Sequence, residues 1–389
     1  FGTIITPGVL ERTHMRPDAV DTAERPVVLV WEVTQACELA CEHCRAEATP
    51  RRHPDELSTA EGEALLEDAA RFGDGQLVVL SGGDPLARDD LEHLVEYGDD
   101  LGLRMTLTPS GTESLTRDRV RALADAGLQR MALSLDGATP ESHDAFRGES
   151  GSFESMLRAA RAATAADLPV QINTTVCGST VDELPGLRAV VDDLDAVLWS
   201  VFFLVPIGRG RVLDQLAPER ADRVMDWLDD VRDAEDYMVK TTEAPQYRRV
   251  VLQKTRESAA GTDTGPKPSG GPPSSVAGRR GGVRAGAGFA FVSHVGDVYP
   301  SGFLPESVGN VREHSVVERY RESDLFEALR DPDRFDGKCG ACEYRRVCGG
   351  SRSRAYAATG NALASDPLCP YVPEDYDGPL PERTGVPGD

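Results

Sequence analysis

Between residues 27 and about 205 the chain alternates short apolar runs with longer stretches in which apolar residues recur every three or four positions. The first pattern predicts buried strands and the second amphipathic helices. Strands are expected at 27–33, 76–81, 104–109, 129–135, 168–176 and 196–204, and helices at about 58–72, 87–102, 115–127, 152–166 and 182–193. Ser58 followed by Glu61 gives the first helix a capping box. Six successive βα units predict a parallel sheet with helices outside it. The fold class is therefore α/β: an open, partial (β/α)6 TIM-like barrel with its site at the C-terminal strand ends.

The pattern changes after the sixth unit. Residues 215–239 read as one more helix, around Met225, Trp227, Leu228 and Val231. Residues 258–285 are rich in Gly, Pro and Ser and read as a flexible linker, because such a segment buries too little apolar surface to order itself. GFAFVSHVGDVYPSGFLP then predicts a β-hairpin turning at His294–Asp297, with Gly296 in the turn, and a helix is expected at about 316–330. The expected division is an N-terminal arm (1–25), the barrel (26–240), a connecting segment (241–285), a small cysteine-rich α+β domain (286–375) and a tail (376–389).

Charge and hydropathy exclude some partners. The chain has 42 Lys and Arg against 65 Asp and Glu, a net charge of −23, which argues against nucleic-acid binding through a basic face. No apolar run reaches the ~20 residues that span a bilayer, and the N-terminal residues lack a charged-then-apolar signal pattern. A cytoplasmic location is expected.

Eight cysteines in such a chain suggest metal rather than disulfides. Cys177 stands alone in a strand pattern and reads as a packed core thiol. Cys37, Cys41 and Cys44 form C-x3-C-x2-C directly after the first strand. Three thiolates on one loop can hold three irons of a cubane cluster and leave the fourth iron open to a small molecule. The same loop, completed by His43, also reads as a zinc knuckle. Cys339, Cys342, Cys348 and Cys369 form C-x2-C-x5-C-x20-C, a closed site for tetrahedral zinc or for a fully ligated 4Fe–4S cluster. At the other strand ends stand Ser81-Gly82-Gly83-Asp84-Pro85, Thr108-Pro109-Ser110-Gly111 and Ser134-Leu135-Asp136-Gly137, with Asn173 and Thr174 in an otherwise apolar strand. Glycines let a backbone approach a ligand closely; small hydroxyl residues suit ribose or carboxylate groups, and equally suit plain turns.

The stretch 31–48, with GGDP about forty residues later, resembles the cluster loop of the radical S-adenosylmethionine (SAM) enzymes. The resemblance implies a 4Fe–4S cluster on Cys37, Cys41 and Cys44 that chelates SAM and, once reduced by a ferredoxin or flavodoxin, cleaves it to a 5′-deoxyadenosyl radical. It implies that Gly82, Gly83 and Asp84 bind the amino group of SAM, and that Arg147 of HDAFRG pairs with its carboxylate. Ser110, Ser134 and Asn173 would contact ribose or carboxylate, and LVPIGRG (204–210) would pack the adenine. The second cysteine group resembles the auxiliary-cluster domain (SPASM, or its shortened twitch form). Ser301 and Arg352 stand where the full pattern has cysteines, so one auxiliary 4Fe–4S cluster is expected. Residues 27–375 most resemble the haem-biosynthesis branch, which includes Fe-coproporphyrin decarboxylases and haem d1 maturases. A tetrapyrrole substrate follows, with Arg209, Arg248, Arg249, Arg352 and Arg354 as candidate partners for propionates; taken singly, each reads first as a surface arginine. A peptide- or cofactor-maturing enzyme is the alternative, and a zinc-stapled, non-catalytic scaffold the alternative of another class.

Overall fold

The computed structural model describes residues 20–260 and 283–382. Most of the expected arm and linker, and the end of the tail, lie outside these residues. Strands β1 (Val28–Glu32), β2 (Leu77–Ser81), β3 (Arg104–Leu107), β4 (Arg130–Ser134), β5 (Val170–Val176) and β6 (Leu198–Phe203) fall where the apolar runs predict them. They pair in parallel in chain order, β1 with β2 from Val28↔Leu77 to Glu32↔Ser81. The sheet curls into a half-barrel with helices outside, the partial barrel expected from the pattern.

Alternation sorts the two faces. Leu29, Trp31, Val78, Leu80, Met105, Leu107, Met131, Leu133 and Ile172 join one core cluster between sheet and helices. The intervening positions, among them Glu32, Thr106, Ser134 and Asn173, face the interior. Each fully buried Leu or Ile contributes about 1.5–3 kcal/mol. Helix α1 (Thr59–Ala70) begins with the predicted capping box, Ser58 and Glu61 exchanging hydrogen bonds.

The structure corrects the expectations in three places. The helix expected at 215–239 is α7 (Pro218–Ala234), followed by a seventh parallel strand, β7 (Met238–Thr242), on the edge of β6. At the other edge the hairpin strand β9 (Gly288–Val292) pairs in parallel with β1, and β10 (Val298–Tyr299) returns antiparallel to it. The helix expected at 316–330 is two helices, α9 (Val316–Glu322) and α10 (Asp324–Arg330), because Ser323 between them is extended.

A buried arginine helps to dock the final segment over the ends of β6 and β7. Arg354, on α12 (Arg352–Thr359), donates to the carbonyls of Phe203, Leu204 and Glu243 and pairs with Asp366 at 3.1 Å. Both partners are fully buried.

Candidate active site

The loop after β1 carries Cys37, Cys41 and Cys44, and three other segments hold its backbone. From the tip of β2, the Gly83 amide donates to the Thr34 carbonyl (2.8 Å) and the Asp84 amide to that of Ala36 (2.6 Å). A Cβ on Gly83 would lie 2.3 Å from the Ala36 oxygen. This glycine therefore serves contact between the two loops. From α4 (Pro140–Arg147), the Phe146 carbonyl accepts the Glu42 amide at 3.0 Å. From the turn after β6, the Arg209 amide donates to the Cys44 carbonyl (3.0 Å), and its guanidinium donates to those of Cys41 (2.9 Å) and Ala48 (3.1 Å). Gly208, at φ 52°, lets that turn pass beneath Cys44.

The expected residues Asp84, Ser110 and Arg147 gather at this loop. The Ser110 hydroxyl lies 3.3 Å from Cys37 Sγ and donates to the Gly83 carbonyl (2.9 Å). Asp84 accepts from the Leu86 and Ser110 amides and from the Thr112 hydroxyl. Arg147 donates to the Ser110 carbonyl (3.2 Å) and to Asp136 (3.4 Å). Burial opposes the Arg147 charge, but Cys41, Asp136, Cys37 and Cys44 around it outweigh that cost and raise its pKa. Burial pushes the Cys37 and Cys41 thiols up, so ligation here requires proton release.

Two neighbours complete the surroundings: Asp136, which has no role in the sequence reading, and His43, which that reading offers as a fourth zinc ligand. Asp136, almost wholly buried, accepts the Thr175 amide at 2.7 Å and orients Arg147; its signal was a carboxylate at a strand tip eleven residues before an arginine. His43 stacks on Phe146 with ring centroids 4.7 Å apart, and its Nε2 is 4.0 Å from Asp136. Ser134 and Asn173 are register partners on β4 and β5. Asn173 Oδ1 accepts from Gln171 at 2.7 Å, and neither residue hydrogen-bonds to the cysteine loop.

Cys339, Cys342, Cys348 and Cys369 line one pocket with Gln246, Arg249 and Lys338. The Asp366 and Gly350 amides donate to Cys339 Sγ and Cys348 Sγ, each at 3.4 Å. Burial pushes Cys348 and Cys369 up to about 12 and Cys342 to about 11. None of the eight cysteines is in a disulfide. Among the described residues no three His, Cys, Asp or Glu side chains are close enough to hold a single metal ion. Cys177 is fully buried against Phe146 and Leu204, the packed thiol expected.

The arginines read as propionate partners are engaged elsewhere. Arg352 and Arg354 are fully buried, Arg352 on the carbonyls of Ala362 and Ala364. Arg249 pairs with Asp222 (2.6 Å), Arg248 reaches the Val347 carbonyl, and Arg209 braces the cysteine loop.

A cysteine triad at the end of the first strand of a parallel half-barrel, with a cation set among the thiols, defines a class of enzyme. The family model of the Radical SAM superfamily matches residues 31–189. The chain belongs to that superfamily and is an enzyme; the scaffold reading is set aside. An AdoMet-dependent heme synthase of Methanosarcina barkeri is 40% identical over 348 residues, spanning 90% of this chain and 97% of that protein. A PqqA peptide cyclase of Rhizobium meliloti is 31% identical over 346 residues, spanning 88% and 87%. Among solved structures, Streptococcus suis SuiB bound to S-adenosylmethionine superposes with a TM-score of 0.69 at 16% identity, covering 90% of this chain and 78% of that one. Membership implies a 4Fe–4S cluster and SAM. No helix of the described residues is long and apolar enough to cross a membrane.

Proposed function

We propose that this protein is a cytoplasmic radical SAM enzyme that oxidatively modifies a tetrapyrrole, by decarboxylation of the haem-biosynthesis type. The observation that carries the reading is the 40% identity to the heme synthase along nearly the full length of both chains. The interior offers a matching surface. Phe202 on β6, Phe289 and Phe291 on β9, Tyr299 on β10 and Phe303 bring aromatic rings to the open side of the half-barrel, with Phe202 and Phe303 centroids 6.5 Å apart and Phe291 and Tyr299 6.2 Å apart. Such rings suit a flat apolar macrocycle.

The donor set fits a cubane cluster on Cys37, Cys41 and Cys44: three thiols on one loop, none in a disulfide, with the Leu39 amide donating to Cys37 Sγ (3.4 Å). That cluster, reduced by a ferredoxin or flavodoxin, would supply the electron that opens SAM to a hydrogen-abstracting radical. Arg147 takes the SAM carboxylate, for which a guanidinium is the matching fork. Asp136 holds that fork in place. The Asp84 carboxylate is occupied by Ser110, Thr112 and Leu86, so the Gly82–Asp84 turn offers the SAM amino group its backbone oxygen. Ser110, Ser134 and Asn173 are left for ribose and carboxylate contacts, and the half-barrel keeps water from the reacting centre. Cys339, Cys342, Cys348 and Cys369 suit one auxiliary 4Fe–4S cluster in a domain spanning about 286–375. Their place in a chain that carries the radical SAM cysteine triad favours iron–sulfur over a single zinc ion there.

The test is anaerobic turnover of the reconstituted protein with SAM, dithionite and Fe-coproporphyrin. Vinyl-bearing porphyrin, lighter by the lost carboxyl groups, is the expected product. An unchanged porphyrin, with a precursor peptide cross-linked instead, would establish the alternative that the similarity to the peptide cyclase favours.

A further inference from the structure

With the five arginines proposed from sequence engaged elsewhere, the substrate carboxylates need other cations. Two stand on the interior wall. Met105 and Leu107 of β3, and Met131 and Leu133 of β4, pack into the helix-side core, so alternation turns Arg104 and Arg130 to the opposite face. The register sets them one step apart: Thr106 is the partner of Arg130, and Arg104 precedes Thr106 by two residues on the same face. Both are half-buried. Among the described residues neither has an ion pair, and the side chain of neither makes a hydrogen bond. Burial, and then the charge of Arg104, lower the Arg130 pKa. In a chain with 65 acidic and 42 basic residues, two adjacent cations with no carboxylate call for an anion from outside.

We infer that Arg104 and Arg130 form a clamp for the substrate carboxylates that the reaction leaves intact. The inference rests on the tetrapyrrole reading above. Arg130 lies four residues below Ser134 on the same strand, about 13 Å toward the N-terminal end of the half-barrel. The Arg104 stem continues in that direction, with its Cδ near Gly75 just before β2. A porphyrin set upright against the aromatic wall would present one edge to the cysteine loop and the other to these guanidiniums. Propionates at the far edge would be fixed by charge-assisted forks while those at the near edge meet the radical. The clamp would thus decide which carboxyl groups are removed and hold the product's remaining two.

The experiment is an anaerobic Soret-band titration of the reconstituted full chain with Fe-coproporphyrin, and with the same porphyrin capped as neutral, water-soluble amides. Arg104→Gln and Arg130→Gln should each weaken binding of the tetra-acid about tenfold, leave binding of the amide unchanged, and leave substrate-free 5′-deoxyadenosine formation intact. Arg130→Lys should recover part of the loss. Equal affinity of wild type and the double Gln variant for the tetra-acid would overturn the clamp, as would an equal weakening for acid and amide. Failure of the wild-type protein itself to bind Fe-coproporphyrin would instead overturn the tetrapyrrole reading on which the clamp depends.

Discussion

The two cysteine sites are built in opposite ways. The three-cysteine site is one short loop held by backbone contacts from β2, α4 and the turn after β6, with Arg147 set among its thiols. The four-cysteine site collects its residues from a 31-residue stretch into a pocket lined by Gln246, Arg249 and Lys338. One thiol fewer leaves room for a carboxylate ligand beside Arg147; four thiols leave none, and the guanidinium beside them, Arg249, is already paired with Asp222. The difference teaches that an open and a closed sulfur site are distinguished by what the surrounding strand ends present as much as by counting cysteines.

Removing one ligand from each site would break the comparison most severely. Cys41→Ala should abolish 5′-deoxyadenosine formation, while Cys348→Ala should keep it and lose porphyrin product; chromatography of nucleoside and porphyrin reads both. Next in size is Arg354→Met, which leaves the fully buried Asp366 carboxylate without its cation. It should destabilise the fold by about 3–5 kcal/mol in denaturant titration and lower iron at the four-cysteine pocket first, because the Asp366 amide bonds Cys339 Sγ. Gly83→Ala should act on the other site. Its Cβ meets the Ala36 carbonyl, so about 1–3 kcal/mol of strain should appear with loss of iron from the three-cysteine loop alone.

The smallest effect sharpens the comparison as a control distant from both sites. Ser58→Ala removes the α1 cap and should cost about 1 kcal/mol, with both iron complements unchanged. Arg312 and Ser58 hold the Glu61 carboxyl at about 2, below its ordinary value. Its stabilisation is therefore present above the unfolded carboxylate range and lost as pH falls toward 2. The pair is exposed, so salt should shrink this acid dependence, seen as a smaller shift of Tm with pH.

Much of this architecture was legible because buried parallel strands and amphipathic helices write their period into the chain. Six strands, the capping box and the convergence of Asp84, Ser110 and Arg147 on the cysteine loop were all readable. What escaped reading depends on distant partners or weak local signals. β7, MVKTT, is a polar edge strand with little burial. The pairing of β9 with β1 joins residues some 260 apart in the chain, which no local pattern records. Helix α4 is eight residues long and capped by Thr139 and Ser142, without the usual Glu. SRSRAYAATGN reads as an exposed basic stretch, yet the carbonyls that bury Arg354 come from Phe203, Leu204 and Glu243. Arg104 and Arg130 sit at the starts of strands, where a charge looks like a solvent boundary until the register shows which face it occupies.

The central claim, one open and one closed cluster on this chain, is tested most directly by counting iron. Wild-type protein, a variant lacking Cys37, Cys41 and Cys44, and a variant lacking the four later cysteines would be reconstituted anaerobically, analysed for iron and sulfide, and assayed for SAM cleavage. The account predicts about eight irons per wild-type chain and about four in each variant, with 5′-deoxyadenosine made only where Cys37, Cys41 and Cys44 remain. Zinc in the four-cysteine pocket, or nucleoside formation without the three-cysteine loop, would contradict it.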